Sequence, residues 1–235
     1  MTRLPTATNA IILAAGAGSR LADVEAVKPL ADIGGKPLIL HSIESLMTAG
    51  AASVTIVVGN RAEDIRAALR QAPLPLEFVD NPDWQAAPNG VSVLAARRSV
   101  RPGTLLTMAD HLLSPELVGR LVMGAAHALA LGVDRRLGHP WVDEADVTRV
   151  LTDGGEIRAI GKGLCVYDAY DTGLFRIGPE LVEALAGLAA PGLSDGVRLL
   201  AANGLAGCVD IGDAPWLDVD DARALDIARK EWRLA

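Results

Sequence analysis

The residues best suited to chemistry stand in a short glycine-rich stretch near the start of the chain. Residues 10–14 form a buried-strand pattern, and Gly16 and Gly18 follow it. Glycine has no Cβ, so the backbone can turn sharply there and approach a ligand closely. Arg20 and Lys28 add two cations to a loop whose free N–H groups already favour anions. The stretch is therefore predicted to hold the triphosphate of a nucleotide.

Composition narrows the class of protein. Half of the 235 residues are apolar but only 3% are aromatic, so the core must be built from Ala, Val, Leu and Ile. Such a core favours helices packed on a buried parallel sheet, and the length suits one large α/β domain. The net charge of −7 argues against a nucleic-acid partner, because no overall basic field would neutralise phosphates.

The sequence shows no signal for export or membrane insertion. Residues 1–9 lack a signal-peptide layout. The longest uncharged apolar tract, 121–133, is shorter than the roughly 20 residues that span a bilayer. Cys165 and Cys208 match no metal-ligand spacing, which favours two free thiols over a disulfide. We therefore expect a soluble, cytoplasmic protein.

The hydrophobic pattern predicts alternating strands and helices. In the first half, strands are expected at 10–14, 54–58, 76–79 and 104–108, and helices at 38–50, 62–70 and 91–98. This order is typical of a doubly wound sheet. In the second half we expect helices at 112–124, 179–188 and 194–203, a hairpin within 147–162, strands from 170 and at 207–211, and a last helix opened by 216–220. Residues 127–133 fit a strand or a helix.

Glycine or polar residues follow four of the predicted strands, namely Gly16, Gly59, Asn81 and Asp110. Because ligands of open α/β sheets bind outside the carboxyl ends of the strands, these residues are expected along one rim. By itself the first loop fits a ligand loop or a tight turn. No Gly-Lys-Ser/Thr closes it, and Leu21 stands where a dinucleotide-binding loop has its third glycine. A Rossmann oxidoreductase is disfavoured, because Asp32 falls too early for the ribose carboxylate.

A longer set of motifs resembles a known family. Residues 13–21, Leu-Ala-Ala-Gly-Ala-Gly-Ser-Arg-Leu, with Lys-Pro-Leu at 28–30, resemble the signature of the sugar-phosphate nucleotidyltransferases. The order of the later motifs resembles the CTP:inositol-1-phosphate cytidylyltransferases, with phosphocholine cytidylyltransferases as relatives. Those motifs lie at 107–111, 133–135, 144–150, 157–162, 171–173 and 216–220.

The resemblance implies a single nucleotidyltransferase domain over residues 1–235. Its Rossmann-like, doubly wound mixed sheet would place the nucleotide-binding half at about 1–112. The acceptor-binding half, about 113–235, would include a small insertion with a β-hairpin. Many family members are fused to a membrane-embedded CDP-alcohol phosphotransferase. Here the domain would act alone, as a homodimer, or with a separate phosphotransferase downstream.

The resemblance also assigns a nucleotide site for CTP. Gly18, Ser19 and Arg20 would hold the β- and γ-phosphates, and Lys28 would reach the α-phosphate; Arg20 and Lys28 are thus the catalytic cations. The residues assigned to the base, the ribose and the adjoining rim are Leu13, Ala14, Ala15, Gly16, Gly59, Asn89, Gly90 and Ser92. The sequence has Pro88 where the family usually has Gly, and Val27 where Pro commonly precedes the lysine, so the local loop geometry is expected to differ.

The implied reaction transfers CMP from CTP to an alcohol phosphate and releases pyrophosphate. The acceptor is already an anion, so the difficulty is bringing two anions together. Cationic side chains and a Mg²⁺ ion would screen that repulsion. Hard cations prefer carboxylate oxygens, so Asp110 and Asp218 are the candidate ligands, with Asp220 replacing or assisting Asp218. The ordinary alternatives are that Asp110 caps a helix, and that Asp218 or Asp220 caps the last helix.

The acceptor site is the second part of the implied chemistry. Lys162 would hold the acceptor phosphate, while Asp134, Arg135 and Asp171 would contact hydroxyl groups of a polyol. Inositol 1-phosphate is the first choice; phosphocholine, another alcohol phosphate or a sugar 1-phosphate are alternatives. Two Tyr, two Phe and four Trp supply few aromatic rings for a choline cage. A non-catalytic nucleotide-sensing domain is the alternative from another class, and it would be expected to lose the carboxylates or Lys28.

Overall fold

The computed structural model of the chain describes residues 8–18, 25, 27–70, 72, 75–85 and 88–232. The strands of the first half are β1 (Thr8–Ala14), β2 (Asp32–Ile33), β3 (Lys36–Pro37), β4 (Ala51–Val58), β5 (Leu76–Asp80), β6 (Thr104–Met108) and β7 (His111–Leu113). Its helices are α1 (Leu38–Thr48), α2 (Ala62–Ala68) and α3 (Asn89–Ala95). The second half contains α4 (Pro115–Gly124), β8 (Leu129–Asp134), β9 (Arg149–Asp153), β10 (Glu156–Gly161), β11 (Ala169–Ile177), α5 (Pro179–Ala186), α6 (Leu193–Ala202), β12 (Ala206–Asp210), β13 (Trp216–Asp218) and α7 (Ala222–Glu231).

The main sheet is mixed, with the strand order β5-β4-β1-β6-β11-β8-β12-β10-β9. Its first four strands are parallel, and β11 runs antiparallel to both β6 and β8. Because β9 also pairs with β11, the strands β11, β8, β12, β10 and β9 close into a ring. The prediction of a mixed, doubly wound α/β sheet is confirmed. The predicted hairpin is present as β9 and β10, and it belongs to this sheet.

Both faces of the sheet are covered, which explains the uninterrupted apolar run of β1. Ala10, Ile12 and Ala14 pack into a core with residues of α1 and α4. The alternate residues Ile11 and Leu13 pack into a second core on the other face, with residues of α5 and α6. A strand buried on both faces has no polar position to reveal its period of two. A third, smaller core holds α7 against β13 and β2.

Two predicted helices begin later than the sequence indicated, and both corrections matter for the site. Residues 112 and 113 lie in β7, and α4 starts only at Pro115, where the Ser114 hydroxyl accepts from the Leu117 amide at 3.2 Å. Residues 216–218 form β13 and do not open the last helix. That helix is capped by Asp221, whose carboxylate accepts from the Ala224 amide at 2.7 Å. Pairing between β7 and β13 decides both cases, because these apolar runs are too short for periodicity to identify.

Other local predictions agree more closely with the structure. The ambiguous segment 127–133 is a strand from residue 129 onward, as part of β8. Gly154 and Gly155 adopt left-handed φ angles of 58° and 88° in the turn of the hairpin, as a tight hairpin turn requires. Cys165 and Cys208 are free thiols. Among the described residues, no helix combines the length and the apolar character needed to cross a bilayer.

Candidate active site

The two-stranded ladder of β7 and β13 brings together carboxylates that are far apart in the sequence. Its antiparallel register places His111 opposite Asp218. One step further, the Val219 amide donates to the Asp110 carbonyl at 2.9 Å. Asp110 and Asp218 therefore lie side by side at the same end of the ladder. A carboxylate oxygen of each and a ring nitrogen of His111 all lie within 4.8 Å of one another.

Helix α1 holds the other edge of β7 with two buried serines. The Ser42 hydroxyl donates to the His111 carbonyl, and the Ser45 hydroxyl donates to the Leu113 carbonyl at 2.5 Å. Both serines are fully buried, where an unpaired strand carbonyl would be costly. Sequence reasoning missed these two residues, although serines three apart on the largely apolar side of a helix are a visible signal.

Lys28 is a buried cation among these carboxylates. Its ammonium donates to Asp110 Oδ2 at 2.8 Å and to Asp220 Oδ1. Burial lowers the pKa of Lys28, but the charges of Asp110, Asp220 and Asp218 together outweigh burial and hold the pKa above its usual range. The side-chain stem packs against Gly18, where an added Cβ would lie 2.9 Å from the Lys28 Cβ. The absence of a side chain at Gly18 therefore leaves room for the side chain of Lys28 beside the glycine loop.

Asp218 carries an oxygen that receives no hydrogen bond from the described residues, with His111 Nδ1 3.9 Å away. Its Oδ1 is buried and has no hydrogen-bond partner among the described residues. Burial raises the pKa of Asp218 to about 7, and the neighbouring charges of Asp110 and Asp220 contribute to the shift. A buried carboxylate oxygen without a donor is costly, and a divalent cation would relieve that cost. The donor set therefore fits a hard metal ion. The alternative that Asp218 or Asp220 caps the last helix does not hold, because Asp221 is the cap.

A cavity of about 330 Å³ opens beside the ladder. Asp110, Asp218 and Asp220 lie along its wall together with Asp171 and Lys162. This volume suits a small-molecule ligand. The cavity wall thus contains the candidate metal carboxylates and two of the side chains that the sequence assigned to an acceptor.

Comparison with known proteins identifies the family of the chain. Residues 10–159 match the family described as the MobA-like NTP transferase domain. The chain belongs to this family.

Individual proteins are similar to most of the chain. The domain is 34% identical over 231 residues to the bifunctional IPC transferase and DIPP synthase of Rubrobacter xylanophilus, an alignment that covers 94% of this chain and 51% of that protein. The protein of the same name from Aquifex aeolicus is 29% identical, with the same two coverages. The CMP-5'-(3-aminopropyl)phosphonate synthase of Streptomyces rubellomurinus is 33% identical over 90% of this chain and 37% of that protein. The chain spans about half the length of the first two relatives.

Solved structures share the fold of this NTP transferase domain. The inositol-1-phosphate CTP transferase from T. maritima superposes with a TM-score of 0.86 over 99% of this chain and all of that one, at 22% identity. A UDP-glucose pyrophosphorylase complexed with UDP-glucose gives a TM-score of 0.78 over 95% and 97% of the two chains, at 16% identity. These likenesses establish the nucleotidyltransferase fold.

The strand ends predicted to form one rim do lie together. The Ala15 carbonyl accepts from the Asn60 amide at 3.0 Å, and the Leu13 carbonyl accepts from the Ala109 amide at 3.0 Å. Ala14 and Gly16 lie on the same segment, and Gly16 has open space where a Cβ would stand. Gly59 is closely covered, because its Cβ would lie 2.7 Å from the Trp84 side chain. Ser19 and Arg20 lie outside the described residues.

The Asn-Gly-x-Ser element at 89–92 joins α3 to the start of α6. The Asn89 side chain lines the cavity and accepts from the Leu193 amide at 2.9 Å. An added Cβ on Gly90 would lie 2.3 Å from the Pro191 carbonyl oxygen, so only glycine fits there. The buried Ser92 hydroxyl accepts from the Asn81 amide group at 3.0 Å. This element therefore forms a fixed wall beside the cavity.

The structure brings two of the four predicted acceptor residues into the cavity. Lys162 donates to Asp146 at 2.6 Å, and Asp171 accepts from the Gly173 amide at 2.7 Å. Asp134 does not reach the cavity, because it is fully buried and accepts from Arg136 and from the Trp216 indole at 2.7 Å. Arg135 also lies away from the cavity lining, paired with Asp168 at 2.6 Å. We therefore leave Asp134 and Arg135 out of the proposed acceptor site.

One side of the cavity is formed by a segment that the sequence indicated only weakly. Trp141 and several residues up to Thr148 line it. The Trp141 indole donates to Glu231 at 3.0 Å, and Arg223 donates to the Pro140 carbonyl, so α7 holds the segment from outside. The sequence signals for this wall are the motif at 144–150, which the family resemblance includes, and a lone tryptophan in the polar stretch before it.

The partly buried Asp171 is expected to make stability depend on pH. Burial raises its pKa from 3.8 to about 6, so the folded state binds the proton more tightly than the unfolded state. The free energy of unfolding should therefore fall as the pH rises from about 4 to about 6. Asp171→Asn should remove that fall and be more stable above pH 6 by up to about 2–3 kcal/mol. Urea denaturation between pH 4 and 8 measures the difference.

Asp153→Asn, in the exposed hairpin turn, is the control for that measurement. A difference between Asp171→Asn and the parent protein that stays constant over this pH range would contradict the prediction.

Proposed function

We propose that this domain transfers CMP from CTP to inositol 1-phosphate, giving CDP-inositol and pyrophosphate. The observation that carries the proposal is the buried Lys28 ammonium, which stands between the glycine loop and the carboxylates of Asp110 and Asp220. The names of the relatives support the choice of substrates, since they include an IPC transferase and a CMP-phosphonate synthase. A cytoplasmic location stays a prediction from the sequence, and a homodimer and a separate downstream phosphotransferase stay predictions from the resemblance.

Asp110 and Asp218 are proposed to hold Mg²⁺. The unpaired Asp218 oxygen and the carboxylate character of the donors support this choice over a softer metal. When bound, the ion supplies positive charge that orients and neutralises phosphate oxygens. Lys28 is proposed to contact the α-phosphate, where a fixed buried charge stabilises the developing negative charge better than a hydrated one.

The acceptor is proposed to occupy the cavity. Lys162 supplies a cation for its phosphate, and Asp171 supplies carboxylate oxygens that accept from hydroxyl groups. The Trp, Tyr and Phe side chains in the described cavity wall are Trp141 and Trp216 alone, and Trp216 donates its indole N–H to Asp134. Two tryptophans give a poor cage for a quaternary ammonium, which favours a polyol over choline.

Pyrophosphate release tests the proposal directly. The protein with CTP and Mg²⁺ is offered inositol 1-phosphate, phosphocholine, glucose 1-phosphate and 3-aminopropylphosphonate, and the product is identified by phosphorus NMR. We expect the highest kcat/KM with inositol 1-phosphate. A preference for another acceptor would replace the proposed substrate, and no release with any of them from folded protein would refute cytidylyl transfer.

The same assay separates the acceptor site from the nucleotide site. Lys162→Ala should raise the KM for the acceptor at least about 10-fold, because it removes a cation from the phosphate, and should leave the KM for CTP unchanged. Lys230→Ala, on the exposed face of α7, is the matched control. An equal rise in both KM values would remove Lys162 from the acceptor site.

A further inference from the structure

We propose that His111 is a positioning residue that orients the Asp110 carboxylate for the divalent cation, and that Gly173 provides the space in which the imidazole sits. The inference rests on the metal site proposed above and assigns roles to two residues that the chemistry has not used so far. His111 is more than nine-tenths buried and lies in the wall of the cavity.

The two oxygens of Asp110 are held by different donors. Oδ1 lies 2.8 Å from His111 Nδ1, and Oδ2 lies 2.8 Å from the Lys28 ammonium. An ionised carboxylate only accepts hydrogen bonds, so the proton of this contact is on Nδ1 and the imidazole donates. With both oxygens held, the carboxylate plane cannot rotate, and the remaining lone pairs point in fixed directions. Donors of this kind behind a metal ligand typically set its affinity.

Gly173 determines where the imidazole can lie. A Cβ added at this glycine would stand 2.2 Å from His111 Cδ2 and 2.3 Å from Nε2, far inside contact distance. The residue also has a left-handed φ of 73°, which glycine adopts without strain. The space beside residue 173 is therefore filled by the histidine ring, and any side chain there would displace it.

The strand around Gly173 is built to keep this shape. The pairing of β11 with β8 shifts register between Asp171 and Phe175, which is an irregularity of the kind found beside active sites. The buried Thr172 hydroxyl donates to the Gly132 carbonyl at 2.8 Å, and the Gly173 amide donates to Asp171 at 2.7 Å. Both contacts fix the backbone against which the imidazole packs.

The geometry favours positioning over direct ligation by His111. Its Nδ1 is hydrogen-bonded to Asp110, while Nε2 belongs to the ring edge that fills the space where a Cβ of residue 173 would stand. Nδ1 lies 3.9 Å from Asp218 Oδ1, which leaves the latter without a donor. Mg²⁺ also prefers oxygen ligands to imidazole. His111 thus acts on the ion through Asp110.

A double-mutant cycle tests the proposal with Mn²⁺ binding as a readout that needs no turnover. His111→Asn keeps an N–H donor near the position of Nδ1 but vacates the space beside Gly173, whereas His111→Leu fills that space without a donor. Isothermal titration should show Mn²⁺ affinity reduced about 10–100-fold in His111→Leu and nearly retained in His111→Asn. Gly173→Ala should reduce the affinity similarly in the parent protein, but should add little further loss to His111→Asn.

Gly204→Ala is the control for backbone strain. Gly204 has a φ of 69° and open space around it, so alanine there is strained without displacing any side chain. We expect a loss of stability with unchanged Mn²⁺ affinity. If Gly204→Ala weakens Mn²⁺ binding as much as Gly173→Ala, general destabilisation explains the effect and the proposal is overturned.

The remaining outcomes are equally decisive. Equal losses in His111→Asn and His111→Leu would overturn the role of the N–H donor, and undiminished binding in both would overturn the role of His111 altogether. Failure of the parent protein to bind Mn²⁺ would also overturn the proposed positioning role of His111. If Mn²⁺ binding follows the expected cycle but no acceptor yields pyrophosphate, the positioning role stands and the proposed function fails. His111→Asn, the smaller and polar change, keeps the test available if His111→Leu does not fold.

Discussion

Lys28→Ala should reduce CMP transfer by about 100- to 1,000-fold, with CTP binding still measurable. The magnitude follows from removing one preorganised charge from the transition state of a reaction between two anions. Lys28 is suited to this role because its ammonium is held rigidly by Asp110 and Asp220 in a buried position, with a raised pKa that keeps it charged at every working pH. Initial rates of pyrophosphate release at saturating CTP and acceptor measure the loss.

The same substitution should also lower stability, and the two effects must be separated. Removing Lys28 leaves Asp110 and Asp220 facing each other without their cation, which we expect to cost about 1–3 kcal/mol of unfolding free energy. Both carboxylates are about one-quarter exposed, so water offsets part of that cost. Rates are therefore compared at a temperature where circular dichroism shows both proteins folded.

Lys36→Ala is the matched control for Lys28→Ala. Lys36 is a half-exposed lysine that pairs with Glu44 at 2.5 Å, in the short hairpin of β2 and β3. Its removal should change the rate by less than about two-fold, because a surface ion pair contributes little. Turnover of Lys28→Ala within ten-fold of the parent protein would remove Lys28 from the transition state.

The position of Lys28 relative to the glycine loop could be predicted from sequence, because the information is local. Gly16 and Gly18 follow an apolar strand directly, and the rule that ligands lie beyond carboxyl ends of strands places Asp110 on the same rim. The hairpin of β9 and β10 was predictable for the same reason, since its Gly154-Gly155 turn requires left-handed backbone. The turn of the hairpin needs only neighbouring residues, whereas the shared rim needs only the general rule for the ends of parallel strands.

The ladder of β7 and β13 could not be predicted in this way. Each strand has three residues, and Leu112 or Leu217 fits the apolar face of a helix as well as it fits a strand. What decides is the pairing of two segments from distant parts of the chain, supported by Ser42 and Ser45 from a third. The placement of the site carboxylates depends on that pairing.

Asp134 shows a second reason why the sequence alone did not identify every site residue. A polar residue at the end of a strand is a reasonable ligand candidate, and the rule for strand ends supports it. Here the carboxylate turns inward to the Trp216 indole and the Arg136 guanidinium, which lower its pKa against the opposing effect of burial. Only the tertiary position of Trp216, a residue of β13, distinguishes this structural aspartate from Asp110.

Asp218 and Asp220 alternate along one extended segment, and the structure gives them different partners. Asp220 pairs with Lys28, whereas Asp218 lies beside Asp110 and His111 with a buried, unpaired oxygen. We therefore expect Asp110→Asn and Asp218→Asn each to weaken Mn²⁺ binding at least about 100-fold, and to lower CMP transfer to a similar extent at fixed Mg²⁺. Asp220→Asn should weaken Mn²⁺ binding less than ten-fold. Isothermal titration without nucleotide measures the three affinities.

Stability should distinguish Asp110 from Asp218, because the two substitutions are expected to change the free energy of unfolding in opposite directions. Asp110→Asn removes an ionised partner from buried Lys28 and should destabilise the protein. Asp218→Asn removes a carboxylate whose burial raises its pKa to about 7, so above that pH the variant should be more stable than the parent protein in the absence of metal. Added Mg²⁺ should narrow this gap by stabilising only the parent protein.

Asp226→Asn is the control, because Asp226 lies on the exposed face of α7 and pairs with Lys230. It should change neither the Mn²⁺ affinity nor the metal-free stability. An Asp218→Asn variant that keeps full Mn²⁺ affinity would move the metal to Asp110 and Asp220, the pair that Lys28 bridges. A variant that loses both affinity and metal-free stability would mean that the Asp218 carboxylate supports the fold. The combination expected here, weaker metal binding with higher metal-free stability, would mean that the fold maintains a costly carboxylate at Asp218, which the nearby charges of His111 and Lys28 offset only in part and a bound metal ion would stabilise further.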